Sequence, residues 1–339
     1  MNEDFTLSVI IPVYETPLES LKRALDSACA LNIDHEILLV FDGEPNHELL
    51  RLATAYDHTR VHTLVIGHTG LPGAVRNQGI LAARGHWITF MDADDELIPS
   101  GIEQLITFGV THDFQIVQGE SKKQMHNHTE LCRLSTGEQE FIGQQSINHF
   151  LRSILLPDYG TGTSWAKIYN RSFLLNKNVR FEPIVPMEDT VFMFDAAVNA
   201  DRIGFAPVPC YIYHRNGESL VTSFNPEYEK RITFCLNTFK RRVLRCNNQA
   251  ISNAFNDYVI FYLMLIMLHF VFNPNNKLTK TERRKYFKTI LNKNLYVNAL
   301  RQGRFRDFSI PKRISCFALK HRLYLPMRAI CAFRNHQLR

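Results

Sequence analysis

The chain has 339 residues, 45% apolar and 21% charged, which excludes a disordered or low-complexity protein and allows one large domain or two ordinary ones. Residues 1–15 lack the basic start and apolar core of a secretory signal, and seven cysteines (29, 132, 210, 235, 246, 316 and 331) form no CxxC pair, which predicts reduced thiols in a cytoplasmic compartment and no zinc site. The net charge of +6 hides an asymmetry: residues 274–339 hold 17 Lys and Arg against 2 Asp and Glu, a net of +15, and leave residues 1–273 at −9.

Leu7–Val13 is apolar and β-branched and reads as a buried strand. Pro17–Leu31 has helical spacing through Leu18, Leu21, Leu25 and Cys29, with Pro17 suited to the first turn. Glu36–Phe41 is the second strand, closed by the Asp42-Gly43 turn. Glu48–Tyr56 is a helix, Val61–Ile66 a third strand, Gly70–Arg84 a helix, and His86–Met91 a fourth strand. Strands alternating with helices predict a mostly parallel α/β sheet. Ligands gather at the carboxyl ends of such strands. That rule places Pro12-Val13-Tyr14, Asp42 and Asp92–Asp95 along one edge.

Asp92-Ala93-Asp94-Asp95 is the most informative stretch. Three carboxylates in four residues at a strand end repel one another and call for a cation. Hard oxygen ligands on a short tether suit Mg²⁺ or Mn²⁺, above all one that also holds a substrate diphosphate. A solvated acidic turn capping the helix that starts near Pro99 is the competing reading.

Residues 120–141 are polar and read as a surface excursion or hairpin. Gly143–Leu155 is a helix, Gly160–Thr163 a turn, and Ser164–Tyr169 leads into a strand. Met187 opens a helix to about Ala200. Asp201–Tyr213 reads as two short strands split by Pro207 and Pro209. From Pro226 onward the pattern is helical. Tyr258–Phe272 is apolar for 15 residues, interrupted only by His269. That is short of the roughly 20 needed to span a bilayer, leaving a buried core helix or an in-plane membrane helix. Beyond it, basic residues alternate with Ile314, Phe317, Leu323, Leu325, Met327, Ile330 and Phe333. The mixture suits a helix lying on an anionic membrane surface; a solvated basic helix, a packing element or a homo-oligomer contact are the alternatives. No RNA-binding aromatic motif or finger spacing appears, so nucleic acid is not expected as a partner.

Four pieces align in order: Ser8–Tyr14, Glu36–Gly43, Gly73–Ile80 with Ala83-Arg84-Gly85, and Phe90–Asp95. A second set follows: Trp165-Ala166-Lys167-Ile168-Tyr169, Glu188-Asp189-Thr190-Val191-Phe192, and Tyr211-Ile212-Tyr213-His214-Arg215 with Ser219. Together they closely resemble glycosyltransferase family 2, with a GT-A fold, over about residues 5–225. The expected division is a GT-A domain at 1–225 (nucleotide-sugar half 1–119, acceptor half 120–225) and a helical basic region at 226–339.

The resemblance implies roles. Pro12, Val13, Tyr14 and Glu15 line the uridine pocket, and Asp42 accepts the imino proton of uracil; Phe41 stands where the family usually has a first acidic residue. Arg76 neutralises phosphate. Asp92 and Asp94, with Ala93 between them, form the DxD pair that holds Mn²⁺ or Mg²⁺ and the donor, Asp94 being the direct ligand. His214 completes the metal shell and Arg215 grips the diphosphate. Asp95, Trp165 and Glu188 contact the acceptor side, and Lys167 offers a nearby cation. Asp189 is the general base. Taken singly, each has a plain structural alternative, such as a turn Asp before Gly43 or an N-cap at Glu188-Asp189.

The implied activity is inverting transfer of one hexose or N-acetylhexosamine from a UDP-sugar, with glucose or galactose expected, giving a β-linkage. The implied acceptor is a hydroxyl of a lipid-linked or lipopolysaccharide-core oligosaccharide, in lipopolysaccharide, O-antigen or capsule biosynthesis. The implied location is peripheral, on the cytoplasmic face of a bacterial inner membrane. A non-catalytic GT-A binding module is one alternative. A sugar nucleotidyltransferase is another, but its usual glycine-rich basic loop is absent from Pro12–Pro17.

Overall fold

The computed structural model describes residues 5–56, 59–125, 128–132, 139–156, 161–214 and 224–337. The first part alternates as the sequence predicts: β1 (Phe5–Val13), α1 (Leu18–Cys29), β2 (His35–Asp42), α2 (His47–Thr54), β3 (Val61–Ile66), α3 (Pro72–Ala82) and β4 (Gly85–Phe90). β2 is buried at every position and β1 at six of nine, Leu7–Ile11 and Val13. Near-continuous burial of this kind is what a parallel sheet covered on both faces requires. The acidic turn leads into β5 (Glu96–Leu97) and α4 (Pro99–Thr111).

The remaining elements of the sheet unit are β6 (Ile116–Met125), β7 (His128–Cys132), β8 (Gln139–Ile142), α5 (Gly143–Ile154), β9 (Lys167–Asn170), α6 (Arg171–Asn176), α7 (Glu188–Asn199) and β10 (Arg202–His214). The strand order is β3-β2-β1-β4-β9-β6-β10-β5. Pairings among β3, β2, β1 and β4 are parallel. β9 lies antiparallel to both β4 and β6, and β10 then runs parallel to β6. β1, β2, β4 and β10 therefore point their carboxyl ends the same way. The polar stretch at 120–141 begins as a hairpin, β6 with β7.

Asp201–Tyr213 differs from the expectation of two strands. It is one strand, whose register on β6 shifts between Phe205 and Pro209 and again before Tyr211. Prolines cannot donate to the ladder, and local irregularity absorbs them without ending the strand.

The chain forms two compact units, residues 1–151 with 159–216, and residues 152–158 with 217–339. The break falls near 216, where the sequence pointed to about 225. The second unit is helical: α8 (Tyr228–Arg245), α9 (Gln249–Ile266) continued by a π-helical turn to Val271, α10 (Lys280–Leu291), α11 (Asn294–Gln302), α12 (Ile310–Lys320) and α13 (Tyr324–Gln337). With its extension α9 runs 23 residues, long and apolar enough to cross a membrane by length and composition, yet its most apolar stretch is 67% buried within the protein. α8, α11 and α12 pack on it, so it is a core helix. The basic segment after residue 273 is also no loose appendage. Phe287, Ile290, Leu291, Tyr296 and Leu319 are buried, and the Asn276 and Asn335 amides donate to the carbonyls of Phe270 and Phe272. None of the seven cysteines, all within the described residues, forms a disulfide.

α4 starts on β10: the Ile98 amide donates to the Cys210 carbonyl at 2.9 Å. Gly101, in the first turn of α4, lies so close that a Cβ there would meet the Pro209 carbonyl oxygen and stand 2.7 Å from Cys210 Cα. Backbone on both sides leaves little room to yield. Gly101→Ala is expected to destabilise the sheet unit by about 1–3 kcal/mol, read as a lower urea midpoint; an unchanged midpoint would show that α4 is free to shift.

Candidate active site

The acidic turn is stapled to β10. The Asp92 amide donates to the Tyr211 hydroxyl at 3.1 Å, and that hydroxyl donates to Asp95 Oδ2 at 2.6 Å. The His214 amide donates to Asp95 Oδ1 at 2.8 Å. Asp95 is 1% exposed, and burial, then the charge of Asp92, pushes its carboxyl up to about 8. Both its oxygens are engaged, so it holds β10 against the turn, where the resemblance assigned it to the acceptor. Arg23 of α1 donates to the Asp94 carbonyl at 2.7 Å and reaches Glu96 at 3.3 Å. The His214 ring also turns to Glu96, with Nε2 2.5 Å from Oε1. The ring expected in a metal shell is thus engaged by a neighbouring carboxylate.

Arg76 sits between Asp92, expected to hold the metal and donor, and Asp189, the expected general base. Its Nη2 donates to Asp92 at 2.6 Å and its Nη1 to Asp189 at 3.2 Å. α3 carries it 4% exposed. Burial by itself disfavours its charged form, but the charges of Asp189, Asp92 and Glu188 outweigh that and hold the guanidinium protonated. The resemblance assigned this cation to phosphate; its fork is already taken by carboxylates. Ser164 donates to the same Asp189 oxygen at 3.0 Å. Burial raises the Asp189 carboxyl and Arg76 opposes it. Glu188, one residue earlier at the start of α7, is pushed up to about 7 by burial and by Asp189.

Neighbouring residues fix this pair in place. Asn77 exchanges two hydrogen bonds of 2.9 Å with the backbone of Phe181. Phe181 stacks on Phe192 of α7 at 3.9 Å, and both meet Phe90 edge-on. A Cβ on Gly73 would stand 2.8 Å from that of Phe181, so glycine lets α3 approach the segment before α7.

At the other end of the edge, Tyr14 is 53% exposed and its ring stacks on His68 at 4.8 Å. Glu15 is exposed, with a φ of 46°. Pro12 is partly exposed, whereas Val13 and Ala93 are buried in the core and offer a ligand only their backbone. Asp42 accepts the Thr69 and Gly70 amides at 2.6 and 2.9 Å. In this structure it shapes the loop after β3.

Trp165 stacks nearly parallel with Tyr211 at 4.8 Å and Tyr213 at 5.9 Å. Lys167, read from sequence as a nearby cation, is fully buried. Its ammonium donates to the carbonyls of Thr163 and Trp165 at 2.8 and 3.3 Å, and burial brings it down to about 7. It holds the loop that presents Ser164 and Trp165. Arg215 and Ser219 lie outside the described residues.

Among the described residues, no three His, Cys, Asp or Glu side chains stand grouped to hold a metal. An all-protein cage is therefore a poor fit. Mg²⁺ is commonly bound by one or two carboxylates with water and substrate phosphate, and Asp94, partly buried beside Asp92, fits a site of that shared kind.

Residues 8–173 match the family model described as glycosyl transferase family 2. Among curated proteins, the chain is 26% identical over 228 residues to YibD, an uncharacterized glycosyltransferase of Escherichia coli K12, covering 65% of this chain and 64% of that one. It is 26% identical over 211 residues to the succinoglycan biosynthesis protein ExoO of Rhizobium meliloti, covering 61% and 60%. The matches thus span just under two thirds of these relatives' lengths. Among solved structures, TarS 1–349 of S. aureus in complex with UDP-GlcNAc superposes with a TM-score of 0.67 at 17% identity, covering 98% of this chain and 92% of that one; at that identity it shows the fold.

Tyr211, Arg23, Glu96, Ser164 and His68 complete the edge, and spacing assigned no role to any of them. Their partners lie 70 or more residues away, apart from Ser164 and His68, 25 and 26 residues from theirs. Tyr211→Phe removes both hydroxyl bonds of the staple. Each such bond is worth about 0.5–1.5 kcal/mol, so with both lost donor binding by calorimetry is expected to weaken about tenfold. Wild-type affinity would mean the turn keeps its shape without β10.

Proposed function

We propose that this chain, which belongs to glycosyltransferase family 2, transfers one hexose or N-acetylhexosamine from a UDP-sugar to a hydroxyl of a surface glycan, with inversion. The observation that carries the reading is the placement of Asp189. It is the carboxylate brought by α7 to the strand-end edge, with side-chain exposure of 29%, oriented by Arg76 and Ser164.

Asp189 takes the proton of the acceptor hydroxyl as that oxygen attacks the anomeric carbon. A single base opposite the leaving group gives direct displacement, so an α-linked donor yields a β-linked product. Mn²⁺ or Mg²⁺, bound by Asp94 and the donor, would neutralise the leaving diphosphate. Tyr14 lies open for stacking against a base, with Asp42 and Pro12 beside it. A UDP-sugar donor is supported by the bound UDP-GlcNAc named for TarS, and UDP-glucose and UDP-galactose head the donors to try. The surface-glycan acceptor is supported by the succinoglycan biosynthesis named for ExoO. A lipid-linked or lipopolysaccharide-core oligosaccharide, met on the cytoplasmic face of the inner membrane, is the acceptor class that suits the basic second unit. The second reading, a non-catalytic binding module, loses ground because Arg76 and Ser164 hold an ionisable base in a form a mere binder does not need.

Asp189→Asn keeps the shape but cannot accept a proton. It is expected to bind donor as wild type does and to lose about 10²–10⁴ in transfer rate, read with a panel of UDP-sugars and a soluble glycan acceptor. Near-normal turnover would move the base to Glu188. Because the base works ionised and its carboxyl is raised by burial, the rate should fall as pH drops through that raised value. The acid limb of the pH profile then lies above the ordinary carboxylate range; a limb at the ordinary range would remove Asp189 from the step. Asp94→Ala should abolish the Mn²⁺ dependence of donor binding in calorimetry, and wild-type binding with EDTA present would end the metal assignment.

A further inference from the structure

We infer that the outward faces of α12 and α13 form a docking surface for anionic lipid. In most surface helices the apolar stripe faces the core. Here α12 buries Ser315, Cys316, Ala318 and Leu319 and turns Ile310, Ile314 and Phe317 outward, 73%, 56% and 59% exposed. Spacings of four and three put these three on one side of the helix. α13 repeats the arrangement: Met327 and Cys331 face in, while Leu325 and Phe333, eight residues apart, are 61% and 65% exposed. Scattered apolar residues on a surface need no explanation, but a stripe on each of two consecutive helices marks an interaction site.

Charge decides the partner. Residues 309–337 contain six Lys and Arg and no Asp or Glu. Lys320, Arg322, Arg328 and Arg334 are exposed around the apolar stripes. Apolar side chains interleaved with cations, with no acidic residue among them, match the interface of an anionic bilayer, where the chains insert and the cations meet phosphate headgroups. An ordinary protein partner would be expected to leave a drier, less uniformly charged face. The assignment rests on the membrane-face location proposed above, and its test is read apart from sugar transfer.

The full chain is sedimented with vesicles of phosphatidylcholine alone and of equal parts phosphatidylcholine and phosphatidylglycerol. Wild type is expected to pellet with the second and to be released by high salt. Ile314→Glu with Phe317→Glu should weaken that binding about tenfold or more, with an unchanged thermal midpoint and unchanged UDP-sugar hydrolysis in solution. Arg322→Glu with Arg328→Glu should remove the preference for anionic vesicles. As a depth probe, emission from Phe317→Trp should shift to the blue on anionic vesicles. Sedimentation of the Ile314/Phe317 variant like wild type overturns the proposal. So does a wild type that ignores both vesicles and instead forms a dimer, by light scattering, that the same substitutions dissolve. Absence of UDP-sugar hydrolysis in wild type with vesicle binding intact would count against the transferase reading and leave this surface standing.

Discussion

One buried guanidinium organises the strand-end edge. Asp92, Asp94, Asp95, Glu188 and Asp189 converge there from β4 and α7, and each carboxylate raises the cost of ionising its neighbours. Arg76 bridges Asp92 and Asp189 and so links the turn after β4 to the first turn of α7. Its charge opposes the burial that would otherwise favour a protonated Asp189. Asp95, beyond its reach, is held by hydroxyl and amide donors. Among the described residues, the Asp94 carboxylate makes no ion pair with a protein cation. It is the carboxylate proposed above as the metal ligand.

Around this link the fold separates rigid support from exposed chemistry. The Phe90, Phe181, Phe192 and Tyr169 rings pack against one another, so Asp189 rides on a helix whose first turn has little freedom. The loop bearing Ser164 and Trp165 is instead tied by the buried ammonium of Lys167. Tyr14 and His68, by contrast, lie open to solvent with their rings stacked on each other. Asp95, His214 and Asp42, each expected to meet a ligand, are engaged with backbone or side-chain groups of the protein itself.

The second unit shows how composition alone misleads. α9 and its extension are apolar enough for a bilayer, but Phe255, Val259, Leu263 and Met267 are buried as the centre of a helical core. The residues with apolar surface to spare lie on α12 and α13, helices rich in basic residues. Their buried faces are built largely from small or sulfur-bearing side chains, and several of their large apolar ones point out.

The sequence by itself determined the alternation of strands and helices, the helix opening at Glu188 and the gathering of Asp42 and Asp92–Asp95 at one edge. Those follow from local rules: apolar period, turn chemistry and the common direction of parallel strands. Resemblance added the roles proposed for Asp189 and Asp94. Only the tertiary structure decided who neutralises whom. Arg76 meets Asp189 across 113 residues and Tyr211 meets Asp95 across 116; no periodicity encodes such pairs. The prolines of β10 signalled a break that the sheet absorbed, because register on β6 is set by the strand's whole length. Spacing likewise left open which face of α12 would be covered, since a helix with apolar residues on both sides can bury either one, and the packing of the second unit made that choice.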